Sequence, residues 1–404
     1  MFTQFTDERG TMGELDRILS EPMEDVRERE RLAFDRLLAD FDERVVLFGA
    51  GNLGRRALKC LRTIGVEPLA FTENGQSKWG TQVEGVPVLS PKQASELYGN
   101  SALFIVTIWS LGHFYPETRE KLEHLGCKRV TSASLLRWKF ADQMLPDFCQ
   151  DLPHKLYEQK ADVRRASALW SDELSLQEYL NQVRWRALGD QDALGKPVVE
   201  ESYFLDSLYR ISDDEVFVDC GAYTGDTAEQ VIRRNSSFSK IVAIEADPNN
   251  FERLQQWMRT LDPQVRSKIQ THNLAVGSER GERRFQASGD EGARLAPDGD
   301  GMAECVPLDD LLADAAPTLI KMDIEGAELD ALEGARHTIH KHHPILSICV
   351  YHKQDDLWRI PLFIHSLVED YHFYLRPHDV DGWQLVCYAV PKERLRPHSR
   401  QRNA

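Results

Sequence analysis

The stretch Glu215-Val216-Phe217-Val218-Asp219-Cys220-Gly221-Ala222-Tyr223-Thr224-Gly225-Asp226 decides the fold of the second half of the chain. An apolar run of strand length ends at Asp219, two glycines follow at turn spacing, and a helical pattern begins near Thr227. Glycine lets the backbone turn sharply and lets a ligand approach the peptide plane. Asp219 falls at the carboxyl end of the strand, where open α/β sheets bind ligands. A carboxylate there suits a ligand bearing an ammonium and a sulfonium, whereas a phosphate-binding turn would avoid one.

Working outward from this turn, strand patterns cover 216–219, 241–245, 269–274, 319–323, 345–351, 373–375 and 385–390, with helices between the first five. The second strand ends at Glu245, about 20 residues past the last glycine, where an acid meets ribose hydroxyls in nucleoside-binding α/β folds. The fourth gives Lys321-Met322-Asp323-Ile324-Glu325-Gly326-Ala327-Glu328, with Asp323 at the carboxyl edge. Alternation along the strand lets Asp323 face the cleft only if Met322 does not.

Six ordered motifs resemble the FkbM family of S-adenosylmethionine-dependent methyltransferases over roughly 170–391. They are 217–226, Ile244-Glu245-Ala246-Asp247-Pro248, Asn273-Leu274-Ala275-Val276-Gly277, Val306-Pro307-Leu308-Asp309-Asp310, 320–328 and Val350-Tyr351-His352-Lys353. The resemblance implies a class I methyltransferase fold with a seven-stranded, mostly parallel sheet, and O-methylation of a hydroxyl on a sugar, glycan or related natural product. It implies that Asp219, Gly221, Ala222, Tyr223 and Gly225 hold the methionine part of S-adenosylmethionine. Glu245 then binds the ribose diol, Asn273 and Ala275 border the adenine, Asp323 lies nearest the sulfonium, and Ala246 is a further cofactor-binding residue. Many members carry a Glu in the fifth-strand motif, where this chain has Val350-Tyr351-His352.

An alcohol must lose or share its proton to accept a methyl group. His352 has a reference pKa near ~6.5 and is the expected general base; Asp323 is the expected cofactor-orienting group. Glu325 and Glu328 read as first-turn acids that favour a helix dipole. His340, His342 and His343 precede Pro344 at a helix end with no evident carboxylate partner, so no metal site is assigned.

The N-terminal half carries its own glycine loop. Gly49-Ala50-Gly51-Asn52-Leu53-Gly54 follows a strand at 44–48 and opens a helix at 52–64; Glu73 lies past a second strand at 68–72. Gly49, Gly51, Gly54 and Glu73 thus match a dinucleotide-binding spacing, making this unit a candidate for NAD(P) or a nucleotide-sugar. Further strands are expected at 103–108 and 129–131 around a helix near 117–125. The run 72–88 resembles small Rossmann modules of sugar-modifying enzymes. Between the halves no strand pattern shows, and Ser175 with Glu178 reads as a capping box. The expected organisation is α/β: a helical segment 1–42, a Rossmann-like domain 43–140, a helical connector 141–210, a methyltransferase domain 211–391 and a basic tail 392–404 containing Arg394, Arg396, Arg400 and Arg402.

Bulk composition sets the outer limits. A chain of 404 residues exceeds one ordinary domain, and 42% hydrophobic residues supply packed cores. A net charge of −16 repels a phosphate backbone, which argues against nucleic acid. Seven scattered cysteines without a Cys-x-x-Cys pair suit a reducing compartment. No apolar run reaches the ~20 residues of a membrane span, so a cytoplasmic protein is expected, with a homodimer compatible. The competing classes are an NAD(P)-dependent oxidoreductase and a non-catalytic nucleotide-sugar-binding protein, both using the N-terminal loop.

Overall fold

The computed structural model describes residues 8–235, 237–287, 292–296 and 298–396. The strands in chain order are Val45–Phe48 (β1), Ala70–Thr72 (β2), Gln82–Val83 (β3), Val86–Leu89 (β4), Leu103–Val106 (β5), Val130–Ser132 (β6), Val216–Cys220 (β7), Lys240–Ile244 (β8), Ile269–His272 (β9), Ala275–Val276 (β10), Gly281–Gln286 (β11), Arg294–Leu295 (β12), Gly301–Val306 (β13), Leu319–Met322 (β14), Ile345–Cys349 (β15), Tyr371–Pro377 (β16) and Leu385–Pro391 (β17). The chain forms two compact units. The first takes Met1–Arg164, Leu176–Pro197 and Asp379–Trp383, and the second takes Arg165–Ser175, Val198–His378 and Gln384–Ala404. The expected connector 141–210 is therefore divided between the two.

The first unit holds a six-stranded sheet in the order β3-β4-β2-β1-β5-β6. Strands β1 and β5 are apolar at every position because both faces are covered. Val45, Leu47, Leu103 and Ile105 enter one core with Phe34, Leu58 and Leu61, while Val46, Phe48, Phe104 and Val106 enter the other with Ala94 and Leu122. Period-two alternation sends the same four-residue runs to both layers. The β3–β4 hairpin was not foreseen; Glu84 and Gly85 both take positive φ (49° and 87°), the backbone of a two-residue hairpin turn.

The second unit holds a seven-stranded sheet in the order β16-β17-β15-β14-β7-β8-β9. It is parallel except where β17 pairs antiparallel with β15 and β16. The expected strands all recur within a few residues of their predicted ends. The exception is 269–274: the sheet strand stops at His272, and Ala275–Val276 pairs with β13 in a separate four-stranded sheet, order β10-β13-β11-β12. Its strands carry exposed charges at Glu282, Arg283, Arg284 and Glu304, which hid the sheet from an apolar-run reading.

Local chemistry sets the helices that frame the site. Helix Asp226–Arg234 buries Thr227, Ala228 and Val231 and starts from Gly225 in the left-handed region. Helix Pro248–Thr260 has Pro248 in its first turn and Asp247 as cap, the carboxylate accepting from the Asn249 and Asn250 amides at 2.8 and 3.1 Å. The capping box expected at Ser175 is not formed. Helix Glu173–Leu188 begins earlier, and Asp172 accepts from the Ser175 amide at 2.9 Å, while Leu174 is 67% exposed. Of the basic tail, Arg394 pairs with the buried Glu215 at 2.8 Å and Arg396 with Asp206 at 3.5 Å; Arg400 and Arg402 lie outside the described residues. All seven cysteines are free and buried. Among the described residues no helix is long and apolar enough to cross a membrane.

Candidate active site

At the carboxyl end of β7 the chain turns back on itself through Gly221, Ala222 and Tyr223. The Gly221 and Ala222 amides both donate to the Ile244 carbonyl at 3.0 Å, which ties the turn to β8. Gly221 has φ +80°, and a Cβ there would lie 1.9 Å from the Asp323 carbonyl oxygen, so no other residue fits without moving β14's end. Glu245 stands just past β8. Its Oε2 accepts the Tyr223 amide and its Oε1 the Asp247 amide, each at 2.8 Å. Burial pushes its carboxyl up to about 7, against the pull of those two amides. Asn273 is exposed and donates to the Glu245 and Ala246 carbonyls at 2.8 and 3.1 Å, while Ala275 is buried at the start of β10.

Asp219 is fully buried, and the register explains its partner. Lys321 on β14 lies directly opposite it, so both side chains leave the same face of the sheet. The Lys321 ammonium sits 3.0 Å from Asp219 Oδ1 and donates to the Gly221 carbonyl at 2.6 Å. Burial still pushes the Asp219 carboxyl up to about 6, even with that ammonium lowering it. Lys321 therefore braces the turn and holds an ionic pair beneath it.

Asp323, just past β14, meets the residues that follow β15. Its Oδ2 accepts the Tyr203 hydroxyl at 2.7 Å and its Oδ1 the Tyr351 hydroxyl at 3.3 Å. His352 Nε2 lies 3.4 Å from Asp323 Oδ1 and 3.4 Å from Glu325 Oε1; its Nδ1 lies 2.8 Å from Glu328 Oε1. Burial opposes charge on this ring, but Glu328 and Glu325 outweigh burial and hold the imidazole well above its ordinary value. Burial likewise opposes charge on Asp323, and His352 and Lys321 outweigh it, holding the carboxyl low. The ring thus keeps a proton among three carboxylates at neutral pH. Glu328 does open helix Glu328–Glu333 as a first-turn acid, but it is fully buried and also accepts the Ile324 amide at 2.9 Å.

The structure brings Asp219, Gly221, Ala222, Tyr223, Gly225, Glu245, Ala246 and Asp323 to neighbouring strand ends, with His352 beside Asp323. Ala275 alone sits back in the second sheet. Sequence reasoning missed Lys321, Tyr203 and the true role of Glu328. A lysine inside the apolar run Leu319–Met322 was a usable signal, since buried lysines are rare unless paired. Tyr203 comes from a stretch with no periodic pattern and carries no such mark.

In the first unit, Glu73 Oε1 accepts the Ala50 amide at 2.8 Å and pairs with Lys78 at 2.9 Å. A Cβ at Gly54 would fall 1.9 Å from the Gly49 carbonyl, so this glycine serves close helix–strand packing, while the Cβ direction of Gly51 is open. The loop and Glu73 therefore do come together as the spacing implied.

Residues 219–375 match a family model described as the methyltransferase FkbM domain. The crystal structure of methyltransferase FkbM from Methylobacillus flagellatus KT is similar over 95% of this chain and 98% of its own, at 24% identity and a TM-score of 0.74. A precorrin-6Y C5,15-methyltransferase from Geobacter metallireducens GS-15 covers 45% of this chain and 83% of its own at 15% identity, with a TM-score of only 0.29. A methyltransferase from Geobacter sulfurreducens covers 62% and 93% at 16% identity, with a TM-score of 0.28. No curated protein matches the chain. The matched segment runs from Asp219, through the turn and Glu245, to β16 beyond His352, so the family assignment and the constellation of acids fall on the same residues. This segment, less than half of the chain, is what resembles the FkbM methyltransferases.

Proposed function

We propose that the second unit binds S-adenosylmethionine across the carboxyl ends of β7, β8 and β14 and methylates a hydroxyl of a sugar, glycan or related natural product. The observation that carries this reading is the set of acids at successive strand ends: Asp219, Glu245 and Asp323, with Glu245 tied to the Tyr223 amide. Such a set fits a ligand with an ammonium, a ribose diol and a sulfonium, and it would repel a nucleotide's phosphates. When bound, S-adenosylmethionine supplies a methyl group on a cationic sulfur, open to in-line displacement. Glu245 keeps lone pairs for the ribose hydroxyls, and Gly221, Ala222 and Gly225 let the backbone lie against the methionine part. Ala246, Asn273 and Ala275 border the adenine. Asp219, already paired with Lys321, contributes a fixed dipole beneath the turn.

His352 and Asp323 are the acceptor-side pair. An incoming hydroxyl gives its proton to the Asp323 carboxylate, while His352, whose Nε2 stands 3.4 Å away and already carries its own proton, serves as the charged partner rather than as the expected general base. Holding the acceptor oxygen in line is worth ~7–11 kcal/mol in well-oriented cases, so positioning carries most of the rate. The test is calorimetry of the full chain with S-adenosylhomocysteine. Saturable binding, weakened by Glu245→Ala by about 1.5–3 kcal/mol, is expected for the loss of a hydrogen-bonded charged group. No heat and no thermal shift up to millimolar ligand would sink the reading.

A second site follows from the Glu73–Ala50 hydrogen bond, which repeats the Glu245–Tyr223 arrangement in the first unit. We propose that it takes a nucleotide, NAD(P) or a nucleotide-sugar. Titration with each ligand, and loss of binding in Glu73→Ala, is the check. The free, buried thiols support a cytoplasmic setting.

A further inference from the structure

We propose that Asp323, Glu325 and His352 form a divalent-cation site at the carboxyl ends of β14 and β15. Each offers one ligand atom, and the three atoms lie within 4.8 Å of one another. Their spacing suits one ion. Ligands ~2.1 Å from a cation stand about 3.0 Å apart at octahedral right angles and about 3.4 Å apart at the tetrahedral angle. The two distances from His352 Nε2, to Asp323 Oδ1 and to Glu325 Oε1, are both 3.4 Å.

The surroundings of the three ligands are independent support. Metal-bound histidines almost always give their second nitrogen to a carboxylate, which fixes the ring, and ligating carboxylates are themselves hydrogen-bonded. Here the buried Glu328 stands 2.8 Å from Nδ1, leaving Nε2 as the nitrogen turned to the two acids. The hydroxyls of Tyr203 and Tyr351 donate to Asp323 Oδ2 and Oδ1. Glu328 is fixed in turn by the Ile324 amide. These contacts fix the side chains in place and do not follow from a mere concentration of acids.

Charge points the same way. Three carboxylates, two of them partly exposed, meet one buried imidazole, and buried charge is retained where it is paired or coordinates a metal. The two nearby lysines are committed elsewhere, Lys321 to Asp219 and the Gly221 carbonyl, Lys353 to the Gly326 carbonyl. The adjoining Asp356 Oδ2 accepts the Lys353 amide at 2.9 Å. Two oxygens and one imidazole nitrogen take Mn²⁺, Mg²⁺ or Zn²⁺; three protein ligands leave a position open for an oxygen of the acceptor. That role, polarising the hydroxyl to be methylated, rests on the methyltransfer reading above; the binding of the ion does not.

The experiment is titration of Mn²⁺ into chelator-treated full-length protein, followed by the loss of the free-ion paramagnetic resonance signal, with Mg²⁺ and Zn²⁺ as competitors. One saturable Mn²⁺ per chain is expected, displaced by whichever competitor the site prefers. Glu325→Gln, at a partly exposed position, should weaken it at least tenfold, and Glu328→Gln, which touches no ion, by about 10–100-fold through the loosened ring. S-adenosylhomocysteine binding is measured on the same samples. Cofactor binding without a stoichiometric Mn²⁺ site, or Mn²⁺ binding untouched by both substitutions, overturns the metal site and spares the methyltransferase reading. Mn²⁺ binding without cofactor binding does the reverse.

Discussion

Replacing Lys321 with Met removes the cation beneath the glycine turn and leaves Asp219 alone in the core. The two groups are 3.0 Å apart, and their side chains are 4% and 0% exposed. Breaking a buried ion pair from one side costs about 3–5 kcal/mol, because the remaining charge has no partner. Asp219 limits the damage. Its carboxyl already sits at about 6, so without the lysine it takes up a proton near neutrality, and a neutral carboxyl is cheaper to bury. The loss is therefore expected at the low end, about 3 kcal/mol at pH 8, and smaller below pH 6. For a unit of this size that is a fall of roughly 6–12 °C in melting temperature. The transition to follow is the one that S-adenosylhomocysteine shifts upward. Lys321→Met combined with Asp219→Asn should recover part of the loss, a coupling of about 1–3 kcal/mol between touching residues. A Lys321→Met protein melting within about 1 °C of wild type at pH 8, or a strictly additive double substitution, would refute the ionic account of the turn.

Cofactor affinity should depend on pH through Glu245, which must be ionised to accept ribose hydroxyls. Below its value of about 7 S-adenosylhomocysteine binding weakens, up to about tenfold per pH unit, and Glu245→Gln flattens the profile. The same raised value makes the ligand-free protein gain stability from this group below the unfolded value of 4.5 and lose it as pH rises through about 7, which pH-dependent melting curves would show with the opposite slope. Gly221→Ala forces a methyl against the Asp323 carbonyl at positive φ; a cofactor affinity reduced at least fivefold with unchanged far-ultraviolet dichroism is expected, from a backbone cost of roughly 1–2 kcal/mol. Gly54→Ala meets the Gly49 carbonyl in the same manner and should destabilise the first unit by about 1–3 kcal/mol in thermal melts.

The parts of this molecule legible in the sequence are those written in mostly apolar runs and their ends. Val45–Phe48, Val216–Cys220 and Leu319–Met322 are buried on both faces, so composition alone marks them as central parallel strands. The acids that close such runs, Asp219, Glu245 and Asp323, inherit a place at the ligand edge from the strand's direction. What escaped lacks that link. Residues β10 to β13 are short or charged, and β3–β4 is set by two positive-φ residues rather than by hydrophobicity. Tyr203 reaches Asp323 across 120 residues of chain, and nothing local to it records the contact. Glu328 looked like an ordinary helix-start acid, because its burial depends on His352 arriving from the next strand.

The two glycine loops differ in one feature that the proposed methyl-donor site requires. In sheet order β1 corresponds to β7, β2 to β8, and β5 to β14. The acid after the second strand is present in both units and makes the same bond, Glu73 to the Ala50 amide and Glu245 to the Tyr223 amide, each at 2.8 Å. A glycine Cβ would strike a carbonyl at 1.9 Å in both. The difference lies one strand further on. Past β14 stands Asp323 with its tyrosines and His352. Past β5 stands Thr107, whose hydroxyl lies 3.1 and 2.8 Å from the Phe48 and Gly49 carbonyls and spends its one proton on them. A sulfonium over β5 would meet a sealed hydroxyl, and one over β14 meets a carboxylate held in its charged form. Exchanging these residues tests the distinction directly. Asp323→Thr should abolish methyl transfer while leaving the Glu245-dependent share of cofactor binding, about 1.5–3 kcal/mol, in place. If Asp323→Thr transferred methyl groups at the wild-type rate, the third acid would not be what distinguishes the two loops.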